Sequence, residues 1–235
     1  MINVTGIIVA AGSGTRLGKS SVGGGGPKAL RLLAGHPLVR WSARRLVEGG
    51  VNRLIIVCLA EHAARFEGCL RDLGVELTFC EGGETRQESV LSGLGHLGDD
   101  CDVVLVHDAA RPLVPPNVVE RVRDAVLAGN PVVIPVIPVT DTIRRLTDDS
   151  SVVVDRSDLR AVQTPQGFDP KVLIEAHRKN LGAALTDDAG VCEVEGYRAT
   201  LVGGDQLAMK ITHPLDFAIA EALAASGVIG EPFES

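Results

Sequence analysis

Short runs of β-branched and aliphatic residues recur along the first two-thirds of the chain, and segments with helical spacing separate most of them. Because both faces of each run are apolar, the runs are expected to form strands buried on both sides. Such strands predict a three-layer α/β/α fold with a mostly parallel, Rossmann-like sheet joined by right-handed crossovers. The predicted strands are Gly6–Ala10, Leu54–Leu59, Val75–Cys80, Val103–Val106 and Val132–Val136.

Helices are predicted where apolar residues return every three or four positions. Pro37 stands where the first residue of a helix is expected, and Gly49-Gly50 marks the end of that helix. Pro116–Leu127 carries its valines on one stripe, which is typical of a helix packed on a sheet. Helical spacing returns at Val172–Ala176 and at Phe217–Leu223.

A hairpin arm is predicted after the strand and helix alternation ends. Thr140–Leu146 and Val152–Asp155 are β-prone, and the polar residues 147–151 between them favour a turn. No repeat of fixed period and no long linker divides the chain. The prediction is therefore a single domain over residues 1–235, with an arm at about residues 138–160.

Composition excludes several classes of function. The net charge of −7 and the 3% aromatic content argue against a nucleic-acid surface. The apolar runs are too short to span a bilayer, and the chain does not begin like a secretory signal, so no membrane association is expected. The five cysteines include no CxxC pair, which favours reduced thiols in a cytoplasmic protein. They are Cys58, Cys69, Cys80, Cys101 and Cys192.

A glycine-rich loop follows the first predicted strand. Gly12-Ser13-Gly14 and Gly23–Gly26 supply small residues, and Arg16 and Lys28 supply positive charge. Small residues at the carboxyl end of a buried parallel strand allow backbone N–H groups to surround phosphate oxygens. The loop contains no GxxxxGK[ST] motif and lacks the third glycine of the dinucleotide fingerprint, which disfavours a nicotinamide-dependent oxidoreductase. A flexible connector is the alternative.

Motifs spread over nearly the whole chain resemble one enzyme family. Ile8 to Leu17, followed by Pro27-Lys28, is similar to the signature of sugar-nucleotide-type nucleotidyltransferases. Further segments narrow the resemblance to the 2-C-methyl-D-erythritol 4-phosphate cytidylyltransferases of the non-mevalonate isoprenoid pathway. These segments are Glu81–Val90, Val106–Pro112, Thr140–Arg144, Gln163–Gln166, Thr186–Ala189 and Met209–Thr212.

The resemblance implies transfer of a cytidylyl group from CTP to 2-C-methyl-D-erythritol 4-phosphate, with release of pyrophosphate. Such a reaction requires two anions held in line, compensation of their charge and Mg²⁺ or another divalent cation. A phosphate monoester needs no strong base, so no catalytic His or Cys is required. The alternatives are a cytidylyltransferase acting on ribitol 5-phosphate and a nucleotide-binding regulatory module without turnover.

The resemblance also implies roles for individual residues, while direct metal ligands stay unassigned. Arg16 and Lys28 would stabilise the transition state, although Gly23–Gly26 separates them by more residues than is usual in the family. The residues implied in nucleotide binding are Ala10, Ala11, Gly12, Ser13, Gly14, Gly83, Glu84, Ser89 and Ala109. Those implied in positioning the acceptor are Arg156, Lys210, Thr142, Asp108 and Arg111. The family's arm crosses to a second subunit, which implies a homodimer.

Some of these residues also have purely structural interpretations. Thr85 and Glu88 are spaced as a helix capping box, and Asp108 is of a type that often begins a turn. His107 is expected to be a hydrogen-bonded structural histidine, and Asp187 with Asp188 is expected to begin a helix. Cys58 and Cys80 fall on predicted buried strands and are expected to be packing residues.

Overall fold

The computed structural model describes residues 2–12, 26–182 and 185–230. Eight of the strands in these ranges form one sheet in the order β10-β7-β11-β6-β1-β4-β5, with β12 paired to β7. The strands are β1 Val4–Val9, β2 Leu32–Leu33, β3 His36–Pro37, β4 Arg53–Cys58, β5 Glu76–Glu81, β6 Val103–Asp108, β7 Val132–Pro138, β8 Ile143–Leu146, β9 Ser151–Val154, β10 Arg160–Val162, β11 Gln166–Phe168 and β12 Thr200–Gly203.

Helices cover both faces of this sheet. They are α1 Leu38–Glu48, α2 Ala63–Leu70, α3 Arg86–Leu94, α4 Pro116–Leu127, α5 Pro170–Lys179, α6 Asp188–Val194 and α7 Pro214–Ala225. Side chains of α1, α2 and α4 pack into one core, and those of α3, α5 and α6 pack into the other. The predicted three-layer α/β/α fold is confirmed.

Alternation along the strands supplies both cores from the same strands. Ile8 of β1 and Ile56 of β4 belong to the core beneath α1, while Ile7 and Ile55 belong to the core beneath α3. All four side chains are fully buried. Each removes apolar surface from water and stabilises the fold by about 2 kcal/mol. This two-sided burial is why the runs are continuously apolar instead of alternating.

The predicted strands and helices are confirmed with small changes at their ends. The helix over Pro116–Leu127 has the bounds that the sequence predicted. Pro37 lies one residue before α1, as its N-cap, and Gly49 is the C-cap of that helix. The sheet contains three short strands that the sequence did not reveal: β11 runs antiparallel between β6 and β7, β10 borders β7, and β12 pairs with β7 in parallel.

The predicted arm is present as a hairpin of β8 and β9. The two strands are antiparallel, and Ile143 pairs with Val154 while Leu146 pairs with Ser151. Neither strand joins the main sheet. A two-stranded ribbon of this kind is only marginally stable by itself.

A third apolar cluster closes the end of the domain. Trp41 of α1 packs there with Leu33 and Leu113, and Ala220 and Ala224 come from α7. This packing carries the segment that precedes α7 back to the carboxyl edge of the sheet. None of the described helices is long and apolar enough to cross a membrane.

Candidate functional site

A cleft of about 570 Å³ opens at the carboxyl edge of the sheet. Its position follows from the strand order, because β1 lies between β4 and β6 and the three parallel strands end together. The volume lies in the usual range for small-molecule sites. Its lining residues are Val9, Ala10, Ala11, Gly12, Lys28, Ala29, Leu59, Gly83, Glu84, Thr85, Arg86, Ser89, Asp108, Ala109, Ala110, Lys210 and Thr212.

One wall of the cleft is the loop between β5 and α3. Thr85 begins α3 as its N-cap: its side chain accepts from the backbone N–H of Glu88, and the Glu88 carboxylate accepts from the N–H of Thr85. The capping box that the sequence predicted is therefore confirmed. It fixes where the helix begins and holds the loop against the cleft.

Close backbone approach requires the glycines of this loop. A Cβ at Gly82 would lie 2.5 Å from the Cβ of Ala11 and 3.0 Å from Ser89 Oγ. A Cβ at Gly83 would lie 2.3 Å from the Cβ of Glu88. The Ser89 hydroxyl, which is buried, donates to the carbonyl of Thr85 at 2.9 Å. Its oxygen keeps a lone pair for a donor in the cleft.

Lys28 lies opposite that loop, at the start of a short 3₁₀ turn. Pro27 precedes it, and Ala29 and Leu30 behind it are buried, which holds the backbone of the turn in the core. The ammonium group of Lys28 donates to the carbonyl of Ile211. This contact brings Lys28 beside the residues on either side of Ile211, which are Lys210 and Thr212.

Asp108 ends β6 at the centre of the cleft and is paired with two cations. Its Oδ1 lies 3.2 Å from Arg86 Nε, and its Oδ2 lies 2.7 Å from Lys210 Nζ. Burial alone would raise the pKa of Asp108, but the positive charges of Arg86 and Lys210 hold that pKa well below its usual range. Asp108 is therefore an anion across the physiological pH range.

His107 supports Asp108 from behind and is fully buried. Its Nε2 lies 3.3 Å from the carbonyl of Arg111, which can only accept, so Nε2 carries the proton. Its Nδ1 then accepts from the Thr164 hydroxyl at 3.0 Å, and the Thr164 oxygen accepts from the backbone N–H of Asp108 at 3.1 Å. Burial lowers the pKa of His107 to about 4. The neutral histidine is structural, as the sequence predicted.

Arg86 is a site residue to which sequence reasoning gave no role. It is the first residue of α3, and besides Asp108 it contacts Asp188, whose Oδ2 lies 2.7 Å from Arg86 Nη1. Burial alone would lower the pKa of Arg86, but the carboxylates of Asp188 and Asp108 raise it above its ordinary value. The position directly after a helix cap at a strand's carboxyl edge was the only signal in the sequence.

Asp188 lies in the first turn of α6 and has a second partner. Its Oδ1 lies 3.2 Å from Nε2 of the fully buried His177 on α5. The preceding Asp187 is the N-cap of α6, so the predicted helix start is confirmed. Asp188 thus ties α5, α6 and Arg86 together.

Arg111 does not line the cleft, although the sequence placed it among the acceptor contacts. Its guanidinium donates to the carbonyls of Ala208, at 2.7 Å, and Val162, at 3.3 Å. The backbone N–H of Ile211 also donates to the carbonyl of Ala110, at 2.8 Å. In this arrangement Arg111 braces the segment that carries Lys210.

The two predicted arm residues lie outside the cleft of their own chain. Thr142 and Arg156 are exposed, and the Arg156 guanidinium donates to the carbonyl of Thr140 at the base of the hairpin. The predictions for Arg16, Ser13 and Gly14 fall on positions outside the described residues. The cleft brings together the other predicted residues, which are Ala10, Ala11, Gly12, Lys28, Gly83, Glu84, Ser89, Asp108, Ala109 and Lys210.

The sequence is similar to one family over nearly its whole length. The model of the family IspD, described as 2-C-methyl-D-erythritol 4-phosphate cytidylyltransferase, matches residues 4–226. A relative of that name from Frankia casuarinae is 44% identical over 224 residues, covering 94% of this chain and 81% of the relative. Another from Streptomyces avermitilis is 39% identical over 240 residues, covering 97% of this chain and 94% of the relative.

Solved structures agree with this similarity. A 4-diphosphocytidyl-2C-methyl-D-erythritol synthase from Anaerococcus prevotii superposes with a TM-score of 0.80 at 25% identity, covering 94% of this chain and 97% of that one. A 2-C-methyl-D-erythritol 4-phosphate cytidylyltransferase from Thermus thermophilus gives a TM-score of 0.76 at 33% identity, covering 93% and 98%.

The buried His107 predicts a loss of stability in mild acid. Its pKa of about 4 in the folded chain lies below the ordinary 6.5, so the unfolded chain binds the extra proton as pH falls. The stability that depends on a neutral His107 is therefore fully present above the ordinary pKa. It is lost as pH falls from that value through the folded pKa. We expect the free energy of unfolding to fall by about 2 kcal/mol as the pH is lowered from roughly 7 to 5.

Urea unfolding at several pH values measures this change. The His107→Asn variant, which has no titrating ring, should lose clearly less stability over the same interval. An identical pH dependence in the variant and the wild type would show that His107 is not the group responsible.

Proposed function

The chain belongs to the IspD family of 2-C-methyl-D-erythritol 4-phosphate cytidylyltransferases, and we propose that the cleft at the carboxyl edge of its sheet carries out the family's reaction. It transfers a cytidylyl group from CTP to 2-C-methyl-D-erythritol 4-phosphate and releases pyrophosphate. A phosphate oxygen of the acceptor attacks the α-phosphorus, and the bond from that phosphorus to the pyrophosphate oxygen breaks. The observation that supports this placement is the meeting of Lys28, Lys210, Gly12 and Gly83 in one cleft.

The charges of the cleft suit a reaction between two anions. The acceptor phosphate is already ionised near neutral pH, so the reaction needs positioned cations more than a base. Lys28 and Lys210 both line the cleft, and the contact of Lys28 with the Ile211 carbonyl holds it beside the segment that carries Lys210. We assign Lys28 to the α-phosphate and Lys210 to the acceptor phosphate. Arg16 is proposed to join Lys28 on the resemblance alone.

No buried group competes for the role of base among the residues discussed. His107 is neutral, and both of its ring nitrogens are engaged. Burial raises the pKa of Cys58 to about 11, and burial together with the charge of Asp188 raises that of Cys192 to about 12. These thiols stay protonated near neutral pH, which supports their assignment as packing residues.

The loop after β5 is proposed to select cytosine. The buried Ser89 oxygen, whose proton is directed to Thr85, can accept from the exocyclic N4 amino group. Gly82 and Gly83 leave the backbone accessible to the ring, since any side chain there would meet Ala11 or Glu88. Discrimination against uracil follows because its carbonyl offers that oxygen no proton.

Mg²⁺ is proposed as a cofactor that enters with CTP. The described residues hold no cluster of three His, Cys, Asp or Glu side chains that could bind a metal ion. Both oxygens of Asp108 are already paired with Arg86 and Lys210. These side chains therefore do not fit a site built by the protein. Carried on the triphosphate, Mg²⁺ would neutralise part of its charge.

A homodimer is proposed through the hairpin arm. Leu146 is 82% exposed, Val152 51% and Val153 59%, which is unusual for apolar side chains grouped on one small ribbon. The arm's predicted acceptor contacts, Thr142 and Arg156, point to no group in the cleft of their own chain. Both observations support an arm that reaches the cleft of a second copy.

A cytoplasmic location is proposed from the cysteines. All five are free, including the half-buried Cys69 and Cys101. Free thiols throughout a chain are typical of a reducing compartment.

The first test measures pyrophosphate release from CTP and Mg²⁺ with 2-C-methyl-D-erythritol 4-phosphate. Lys28→Ala is expected to lower kcat by about 100-fold or more, because the charge that develops at the α-phosphate loses its cation. Lys171→Ala, which removes an exposed lysine at the start of α5, is the matched control and should leave kcat unchanged.

Two outcomes would contradict this assignment. Near-normal turnover by Lys28→Ala, with its fold intact by circular dichroism, would remove Lys28 from the chemistry. A clear preference of the wild type for ribitol 5-phosphate would show that the proposed acceptor is wrong.

The second test mixes two impaired variants. If Arg156 serves the partner's cleft, a mixed dimer of Lys28→Ala and Arg156→Ala contains one cleft with both residues intact. After equal mixing and subunit exchange, about a quarter of the wild-type activity should return, because half of the dimers are mixed and half of their clefts are complete.

The third variant of this experiment is its control. The double variant carries both substitutions in one chain. Mixing it with either single variant should restore no activity, because no cleft in such a dimer has both residues intact. If sedimentation shows that dimers are present but the mixture of the two single variants regains no activity, Arg156 acts in the cleft of its own chain.

A further inference from the structure

Lys210 is not ready for an acceptor phosphate in this structure, because it is already paired. Its ammonium nitrogen lies 2.7 Å from Asp108 Oδ2. The proposed function, on which this inference rests, requires that ammonium group to contact the acceptor phosphate. An incoming phosphate must therefore compete with Asp108 for Lys210.

Releasing Lys210 is costly unless Asp108 keeps another cation. Asp108 is only 8% exposed, so water cannot replace a lost partner. Breaking a buried pair by removing one ion leaves an uncompensated charge, which is strongly unfavourable. An unpaired Asp108 would also repel the phosphate that approaches it.

Arg86 supplies that second cation. Its Nε lies 3.2 Å from Asp108 Oδ1, the oxygen that Lys210 does not occupy. Asp108 can therefore give up Lys210 and remain paired through its other oxygen. Arg111 is less suited to this task, because its guanidinium is directed to the carbonyls of Ala208 and Val162.

Arg86 is itself held in place from the far side. Its Nη1 lies 2.7 Å from Asp188 Oδ2. Asp188 is 1% exposed and is in turn contacted by His177. A planar guanidinium that spans two carboxylates is fixed in orientation as well as position. The Asp188 contact therefore keeps Arg86 facing Asp108 when Lys210 moves.

We propose that Arg86 is a positioning residue that keeps Asp108 paired while Lys210 is transferred to the acceptor phosphate. It acts through Asp108 and Lys210 and does not itself contact the reacting atoms. Its removal should leave Lys210 bound to Asp108 as that carboxylate's sole ion-pair partner among the described residues. The acceptor would then bind weakly, whereas CTP would bind nearly as before.

Steady-state kinetics of Arg86→Gln test the proposal. The KM for 2-C-methyl-D-erythritol 4-phosphate should rise about tenfold or more, which corresponds to the loss of one charged interaction. The KM for CTP should change by less than about twofold. Arg86→Lys, which keeps the charge but cannot span both carboxylates, should recover part of the acceptor affinity.

Arg53→Gln is the matched control. Arg53 also lies between two carboxylates, with contacts of 3.0 Å to Glu76 and 3.4 Å to Asp100, but it lies at the start of β4, at the opposite edge of the sheet. Its loss should leave both KM values unchanged. Thermal unfolding of the two glutamine variants separates a loss of fold from a loss of positioning.

The charge of Asp108 decides between positioning and direct contact. In an Asp108→Asn background there is no anion to compensate, so Arg86→Gln should change the acceptor KM by less than about twofold. A full tenfold effect in that background would show that Arg86 binds the acceptor directly and would overturn the proposal. A rise in the CTP KM alone would overturn it as well.

The proposed function fails separately from this inference. Wild-type protein that releases no pyrophosphate with this acceptor contradicts the function. Wild-type protein that turns over, beside an Arg86→Gln variant with an unchanged acceptor KM, contradicts only the role of Arg86.

Discussion

The parallel pairing of β1 with β4 and β6 is the constraint on which the site depends. It brings three strand ends to one edge, so that Ala10 to Gly12 after β1, the loop after β5 and the end of β6 lie around one cleft. Strands buried on both faces have little freedom to slip, since a shift of one residue would move every side chain into the opposite core. The cleft therefore takes its shape from the two apolar cores beneath it.

Charge in the cleft is arranged in pairs, which explains how an acidic chain binds anions. The net charge of −7 would repel CTP and a sugar phosphate at long range. Within the cleft, however, Lys28 is directed to a neutral carbonyl, and Lys210 is paired with an aspartate that has a second cation. Substrate phosphates can thus bind these ammonium groups without leaving a buried carboxylate unpaired.

Sequence patterns predicted most of the fold and the contents of the cleft, and the failures have physical reasons. Strands such as β1 and the helix over Pro116–Leu127 have strong apolar periodicity, which local reasoning reads well. β10 and β11 have three residues each, too few for any periodicity, and only their neighbours in the sheet define them. Arg86 escaped notice because both of its carboxylate partners, Asp108 and Asp188, are distant from it in sequence. The role of Arg111 as an acceptor contact stays a prediction, because its guanidinium donates to the carbonyls of Ala208 and Val162 in this structure and does not line the cleft.

The network from His177 to Lys210 is better explained by positioning than by stability. A buried set of ions is seldom more stable than well-packed apolar residues of the same size, because each ion must leave water. Apolar residues would hold α5, α6 and β6 together equally well, but they would not hold an ammonium group at a chosen point of the cleft. The order of the groups is informative: the ion farthest from solvent, Asp188, is anchored by α5, and the most exposed one, Lys210, has a single carboxylate contact among the described residues. The fewest ionic contacts are therefore found at the end where the acceptor is proposed to bind.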